Sequence, residues 1–151
     1  MTPRAALVPL YRDPLFYLAL LAGPAAWLLF YLLNATPVVW NKPLLYPQWF
    51  FTLALVYPLL EEIAFRGLLQ ELVRDLVSRA RYGPLTVANL LTSVLFAAAH
   101  FFYHPPLAAA LVFFPSLVFG FFKERTGSLL APVLLHAFYN AGYLWLFVTP
   151  V

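Results

Sequence analysis

At 151 residues, with 64% of them hydrophobic, 10% charged and a formal charge of +3, the chain carries more apolar surface than a soluble domain of this length can bury. Its mean hydropathy is +0.83, and apolar runs about twenty residues long stand where an outer-membrane barrel would alternate over about ten, so it reads as an all-α membrane protein. The basic residues fall in short loops between these runs, which leaves no patch for nucleic acid, and the lack of cysteine excludes a disulfide, a thiolate nucleophile and a cysteine-ligated metal.

In chain order, Arg4 and Arg12 precede an apolar run from Leu15 to Leu33, long enough to cross about 30 Å of hydrocarbon as a first span. A cleaved signal peptide competes with that reading, because basic residues come first and Ala-Gly-Pro-Ala-Ala lies mid-run, but the run continues past Trp27 beyond a typical signal. Asn34 to Pro47 reads as an external or interfacial loop held by Trp40 and Trp49. A second span begins near Gln48 and continues as an amphipathic helix through Glu71, Arg74 and Asp75 to about Ser78. Arg79, Arg81, Tyr82, Gly83 and Pro84 form a break, and Leu85 to Phe102 is the third span. Pro105 and Pro106 force a turn before a fourth span, Leu107 to Phe122. After Lys123 to Gly127, a fifth span runs from Ser128 or Leu129 to Val148. The whole is one membrane domain over residues 1–151, a polytopic bundle of about five spans. Arg4, Arg12, Arg74, Arg79, Arg81, Lys123 and Arg125 fall on one side against Lys42 on the other, which predicts a cytoplasmic amino terminus and a carboxyl terminus outside.

Against this background the stretch Pro58 to Gly67 stands out, because Glu61, Glu62 and Arg66 sit inside an apolar run. A charged side chain at the centre of a membrane helix costs about 2.5–3.5 kcal/mol on insertion scales, so three together imply a protein-lined polar interior. Glu62 and Arg66, four apart, share a helix face and can pair, while Glu61 points about 100° away and keeps its charge unspent. The other strongly polar residues of the spans are Asn89, His100, His136 and Asn140. His136 and Asn140 are four apart, as are Phe96 and His100, so three helices can converge on Glu61. Asn89 reads as interhelical hydrogen-bond glue, worth roughly 0.6 kcal/mol. His104, beside Pro105, reads as an interfacial, solvated residue without a catalytic part.

A carboxylate beside an imidazole can deprotonate water, and a second imidazole with an amide can donate hydrogen bonds to an oxyanion. That set suits hydrolysis of a peptide bond. The chain has no Gly-x-Ser-x-Gly and no His-Glu-x-x-His, and its aspartates, Asp13 and Asp75, flank spans. Two alternatives remain open: a zinc-dependent membrane protease with Glu61, His100 and His136 as ligands, and a non-catalytic immunity, scaffold or transport protein whose polar cluster binds an ion or a partner helix.

Glu61-Glu62-x-x-x-Arg66, Phe96-x-x-x-His100 and His136-x-x-x-Asn140, in this order on three helices, resemble the three motifs of the CAAX prenyl protease 2-like (CPBP, or Abi) family of glutamic-type intramembrane proteases. The resemblance covers residues 48–145. It implies that Glu61 and His100 activate water, that His136 and Asn140 form an oxyanion hole, and that Glu62 and Arg66 are motif positions of less defined role. By size, the chain is similar to the compact bacterial branch paired with carboxy-terminal sorting signals, such as the JDVT-CTERM system proteases. This implies a multi-pass protein of the bacterial inner membrane that needs no cofactor and no metal. Its partner would be a membrane-anchored protein substrate with a sorting-type or CAAX-like tail, met in the lipid bilayer.

Overall fold

The structure is a computed structural model and describes residues 9–34, 41–77 and 80–148. Arg4, Trp40, Ser78 and Arg79, to which the sequence reading gave parts, lie outside the described residues. The molecule is an all-α bundle. Helix α1 is Pro14–Asn34 and α2 is the short Lys42–Leu45. Residues 47–76 then form one uninterrupted helix, α3, built from Pro47–Phe51, Thr52–Val56, Tyr57–Glu62, Ile63–Leu69 and Gln70–Leu76, the second and fourth of which are wound as π-helix. A two-stranded hairpin follows, with β1 at Arg81–Tyr82 and β2 at Leu85–Thr86, pairing Arg81 with Thr86 and Tyr82 with Leu85. Helices α4 (Val87–His100), α5 (Pro106–Leu111), α6 (Phe113–Thr126) and α7 (Leu130–Phe147) complete the described chain.

Among the described residues, Pro14–Leu33, Pro106–Thr126 and Leu130–Phe147 are long and apolar enough to cross a membrane. With the many leucines and aromatics exposed along them, they make this a multi-pass membrane protein. Two spans differ from the sequence expectation. The third begins at Val87, because Leu85 and Thr86 are taken up by the hairpin, and its 14 residues reach roughly 21 Å, shorter than the hydrocarbon layer. The fourth runs from Pro106 to Thr126 as one span but is kinked at Val112, between α5 and α6. Pro115, three residues on, has no amide hydrogen to return to Leu111 and cannot extend the first helix smoothly into the second.

The core lies where α1, α6 and α7 meet, with Phe16, Ala19, Phe119, Phe122, Ala131 and Leu135 packed together. The charged loops gather at one end of the bundle. Asp13, 1% exposed, takes the Arg125 guanidinium at 2.5 Å. Lys123 reaches Glu71 at 2.9 Å, and Glu124 accepts from Thr86 at 2.5 Å and from Gln70 at 2.9 Å. The hydrogen bond from Arg125 holds the Asp13 carboxyl below its usual range, and Gly127, in the left-handed region at φ 65°, ends α6 beside it.

Asn89 is fully buried, donates to the Leu117 carbonyl at 3.0 Å and accepts from Ser93 at 3.2 Å, so it does join α4 to α6 as interhelical glue. That close crossing depends on Gly120, where a Cβ would stand 2.0 Å from the Asn89 amide oxygen. Gly120→Ala is therefore expected to lower stability by about 1–3 kcal/mol, because forced repacking outweighs the roughly 1 kcal/mol that alanine gains in helix propensity. Thermal unfolding in detergent measures it, and a melting point at or above that of the parent would contradict the close-contact account.

Candidate active site

The second π segment, Ile63–Leu69, follows directly on Glu62 and carries Arg66, and such widened turns recur at functional sites. Here it shares a stripe with its neighbours: Glu62, Arg66 and Gln70 are all buried on the side of α3 that meets α6 and α7. Arg66 Nε lies 3.3 Å from Glu62 Oε2, with both side chains fully buried. The far end of Arg66 donates to the Ser116 carbonyl at 3.0 Å and to its hydroxyl at 2.6 Å. Phe96 and Phe119 present ring faces 4.6 Å and 5.5 Å from the guanidinium carbon, so a permanent cation is held in the bundle by one carboxylate, one serine and two π-faces.

His136 connects this pair to Glu61. Its Nδ1 lies 2.8 Å from Glu62 Oε1 and its Nε2 lies 3.5 Å from Glu61 Oε2. A carboxylate paired with arginine only accepts, so the His136 proton at that contact sits on Nδ1 and donates to Glu62. The ring is clamped in place: Phe119 stacks on it at 4.7 Å and Phe96 meets it edge-on at 5.9 Å. Glu61 itself is one-third exposed, against zero for Glu62. Of the two carboxylates, then, one is buried against both the arginine and the imidazole, and the other stands at the accessible edge of the cluster.

The remaining expected site residues are placed less directly. His100 ends α4, and its Nδ1 lies 2.9 Å from the Phe96 carbonyl. That carbonyl must accept, which leaves Nε2 of a neutral ring bare as a proton acceptor. The Phe96 ring lies 4.5 Å from His100 and 5.9 Å from His136, but among the described residues no hydrogen bond or ion pair joins His100 to Glu61. Asn140 donates from Nδ2 to the Leu53 carbonyl at 3.2 Å. The first π segment frees that carbonyl: the Tyr57 amide turns to Thr52 and Pro58 has no amide hydrogen to offer. One hydrogen of the Asn140 amide remains for another acceptor. His104 is exposed, as expected, but its ring stacks on His100 at 5.4 Å, which sequence reasoning missed. Sequence reasoning also passed over Ser116. The signal for it was a lone hydroxyl in the apolar fourth span, four residues before Gly120 and eight before Glu124.

Among the described residues no three of His, Cys, Asp or Glu are grouped so as to hold a metal ion. Of the three residues of the zinc alternative, Glu61 and His136 meet, while His100 Nδ1 turns to the Phe96 carbonyl.

Residues 43–142, which include every one of these side chains, match the model of the type II CAAX prenyl endopeptidase Rce1-like family. The chain belongs to that family. A protein of Escherichia coli described as an uncharacterized 24.3 kDa protein is 40% identical over 86 residues, 56% of this chain and 37% of the relative. The chain thus matches little more than a third of that relative's length. No solved structure matches the chain. In this Rce1-like chain the matched region starts after α1, so the first span lies outside it, docked on α7 through Trp27 against Phe138 at 5.1 Å and Phe30 against Tyr143 at 6.4 Å.

Proposed function

We propose that this protein is a glutamic-type intramembrane endopeptidase that cuts a membrane-anchored protein near its carboxy-terminal end, working in the bacterial inner membrane with its amino terminus cytoplasmic. The observation that carries the reading is the chain Glu61–His136–Glu62–Arg66. An accessible carboxylate stands against an imidazole whose other nitrogen is fixed by a buried ion pair. Glu61, with the bare nitrogen of His100 as second acceptor, draws the proton from the attacking water. His136 carries a proton on Nδ1 for Glu62, and a second proton on Nε2 makes it a donor toward the developing oxyanion, balanced by the carboxylates on either side. Asn140 supplies the other donor with its remaining amide hydrogen. The substrate tail is of sorting type or CAAX-like, and as the tetrahedral intermediate collapses the proton taken up by Glu61 passes to the leaving nitrogen, so that the C–N bond breaks to give a carboxylate and the new amine.

Asn140→Ala separates the oxyanion role from a bracing role. Cleavage of a membrane-anchored candidate substrate is expected to fall about 100- to 1000-fold with binding little changed. Cut and bound substrate are measured separately at matched protein levels. A native cleavage rate would leave the Leu53 carbonyl bond as the whole function of Asn140. The reading as a whole fails if the parent protein binds such substrates and never cuts them.

A further inference from the structure

We infer that Ser116 is a positioning residue of this site, acting on His136 through Arg66 and Glu62. The inference deepens the proposed function, since it rests on Glu61 and His136 being the working pair. The links join α6 to α3 and α3 to α7, with the Arg66–Glu62 pair lying within α3. Ser116 on α6 accepts the Arg66 guanidinium of α3 with both its hydroxyl, at 2.6 Å, and its carbonyl, at 3.0 Å. Arg66 faces Glu62 at 3.3 Å, Glu62 accepts from His136 of α7 at 2.8 Å, and His136 Nε2 faces Glu61 at 3.5 Å. Ser116, Arg66 and Glu62 are all fully buried, where a hydrogen bond to a charge is strong and a misplaced one is costly.

Ser116 is also rigidly placed. It stands in the first turn of α6, directly after Pro115, with its amide returning to the Val112 carbonyl at 3.1 Å across the kink between α5 and α6. An arginine has a long, freely rotating stem, and fixing its far end fixes the height at which Nε meets Glu62. The Glu62 carboxylate in turn sets the rotation of the His136 ring, and so the line along which Nε2 points at Glu61. A second rung, Gln70 to the Gly120 carbonyl at 3.4 Å and to Glu124 at 2.9 Å, joins the same two helices without touching the histidine. It serves as the internal control for a merely structural contact.

The chain has 3 histidines, so imidazole nitrogen NMR of the full-length protein in detergent resolves every ring, with His136→Gln assigning its signals. The parent protein should show a protonated Nδ1 at His136. In Ser116→Ala that proton should exchange with water about tenfold faster, as local opening becomes easier, and Ser116→Thr, which keeps the hydroxyl, should restore it. Gln70→Ala should leave it unchanged. The inference is overturned if the parent His136 lacks a proton on Nδ1, if Ser116→Ala leaves its exchange unaltered, or if Gln70→Ala accelerates it equally. The first of these needs no variant to fold. Failure of the proteolytic reading is visible separately, as absence of cleavage by the parent protein with its histidine spectrum as described.

Discussion

Glu61→Gln is expected to lower cleavage on the order of 10³- to 10⁴-fold, the upper range for loss of a general base. The substitution keeps the shape of the side chain, and a glutamine oxygen can still face His136 Nε2 where the carboxylate stands at 3.5 Å. Glu61 is one-third exposed, so the substitution removes no fully buried charge, and the protein should fold and bind substrate as before. What is lost, on the proposed mechanism, is the group that takes the proton from water. A transport, scaffold or immunity protein would tolerate the same change far better, so a variant that retains its biological activity at matched expression would favour that class. The measurement is the initial rate of fragment release beside the fraction of substrate bound.

The second large effect is on the fold. Arg66→Met should destabilise the protein by about 3–5 kcal/mol, because it leaves Glu62 buried without its cation. Glu62 and Arg66 are both 0% exposed, which places the pair where partner removal is most costly. Removing both charges, in Glu62→Gln combined with Arg66→Met, should recover much of that loss, since a buried pair contributes less than its rupture costs. Cleavage should stay low in the double variant, because the carboxylate that orients His136 at 2.8 Å is gone. Thermal unfolding and cleavage on the same three preparations test this. If Arg66→Met melts with the parent, the ion pair does not hold α3 in the bundle.

The site was legible in the sequence where charge is costly. Glu61, Glu62 and Arg66 announce themselves because no lipid-facing helix tolerates them, and the four-residue spacing of Glu62 and Arg66 foretold the ion pair that is seen. Asn89 was legible for the same reason, as a polar group with few uses other than bonding another helix. The directions of the histidines were not legible. That His136 sits between both glutamates depends on the rotation of α7 against α3, and α3 is locally wound as π-helix on both sides of the site. Winding of that kind shifts the angular position of every later residue, and only Pro58 hinted at it. Ser116 was missed because one hydroxyl costs little in a membrane helix. The kink at Val112 was missed because Pro115 stands in a run apolar enough to pass for a straight helix.

Catalysis by a glutamate and histidines without metal is the centre of this account, and the most direct test is cleavage by protein stripped with phenanthroline, with zinc content determined on the same sample. The account predicts an undiminished rate in preparations with no stoichiometric zinc, as expected of a site where Glu61 and His136 meet and His100 is bonded to the Phe96 carbonyl. A rate that falls in proportion to zinc removed, and returns when zinc is added back, would contradict it.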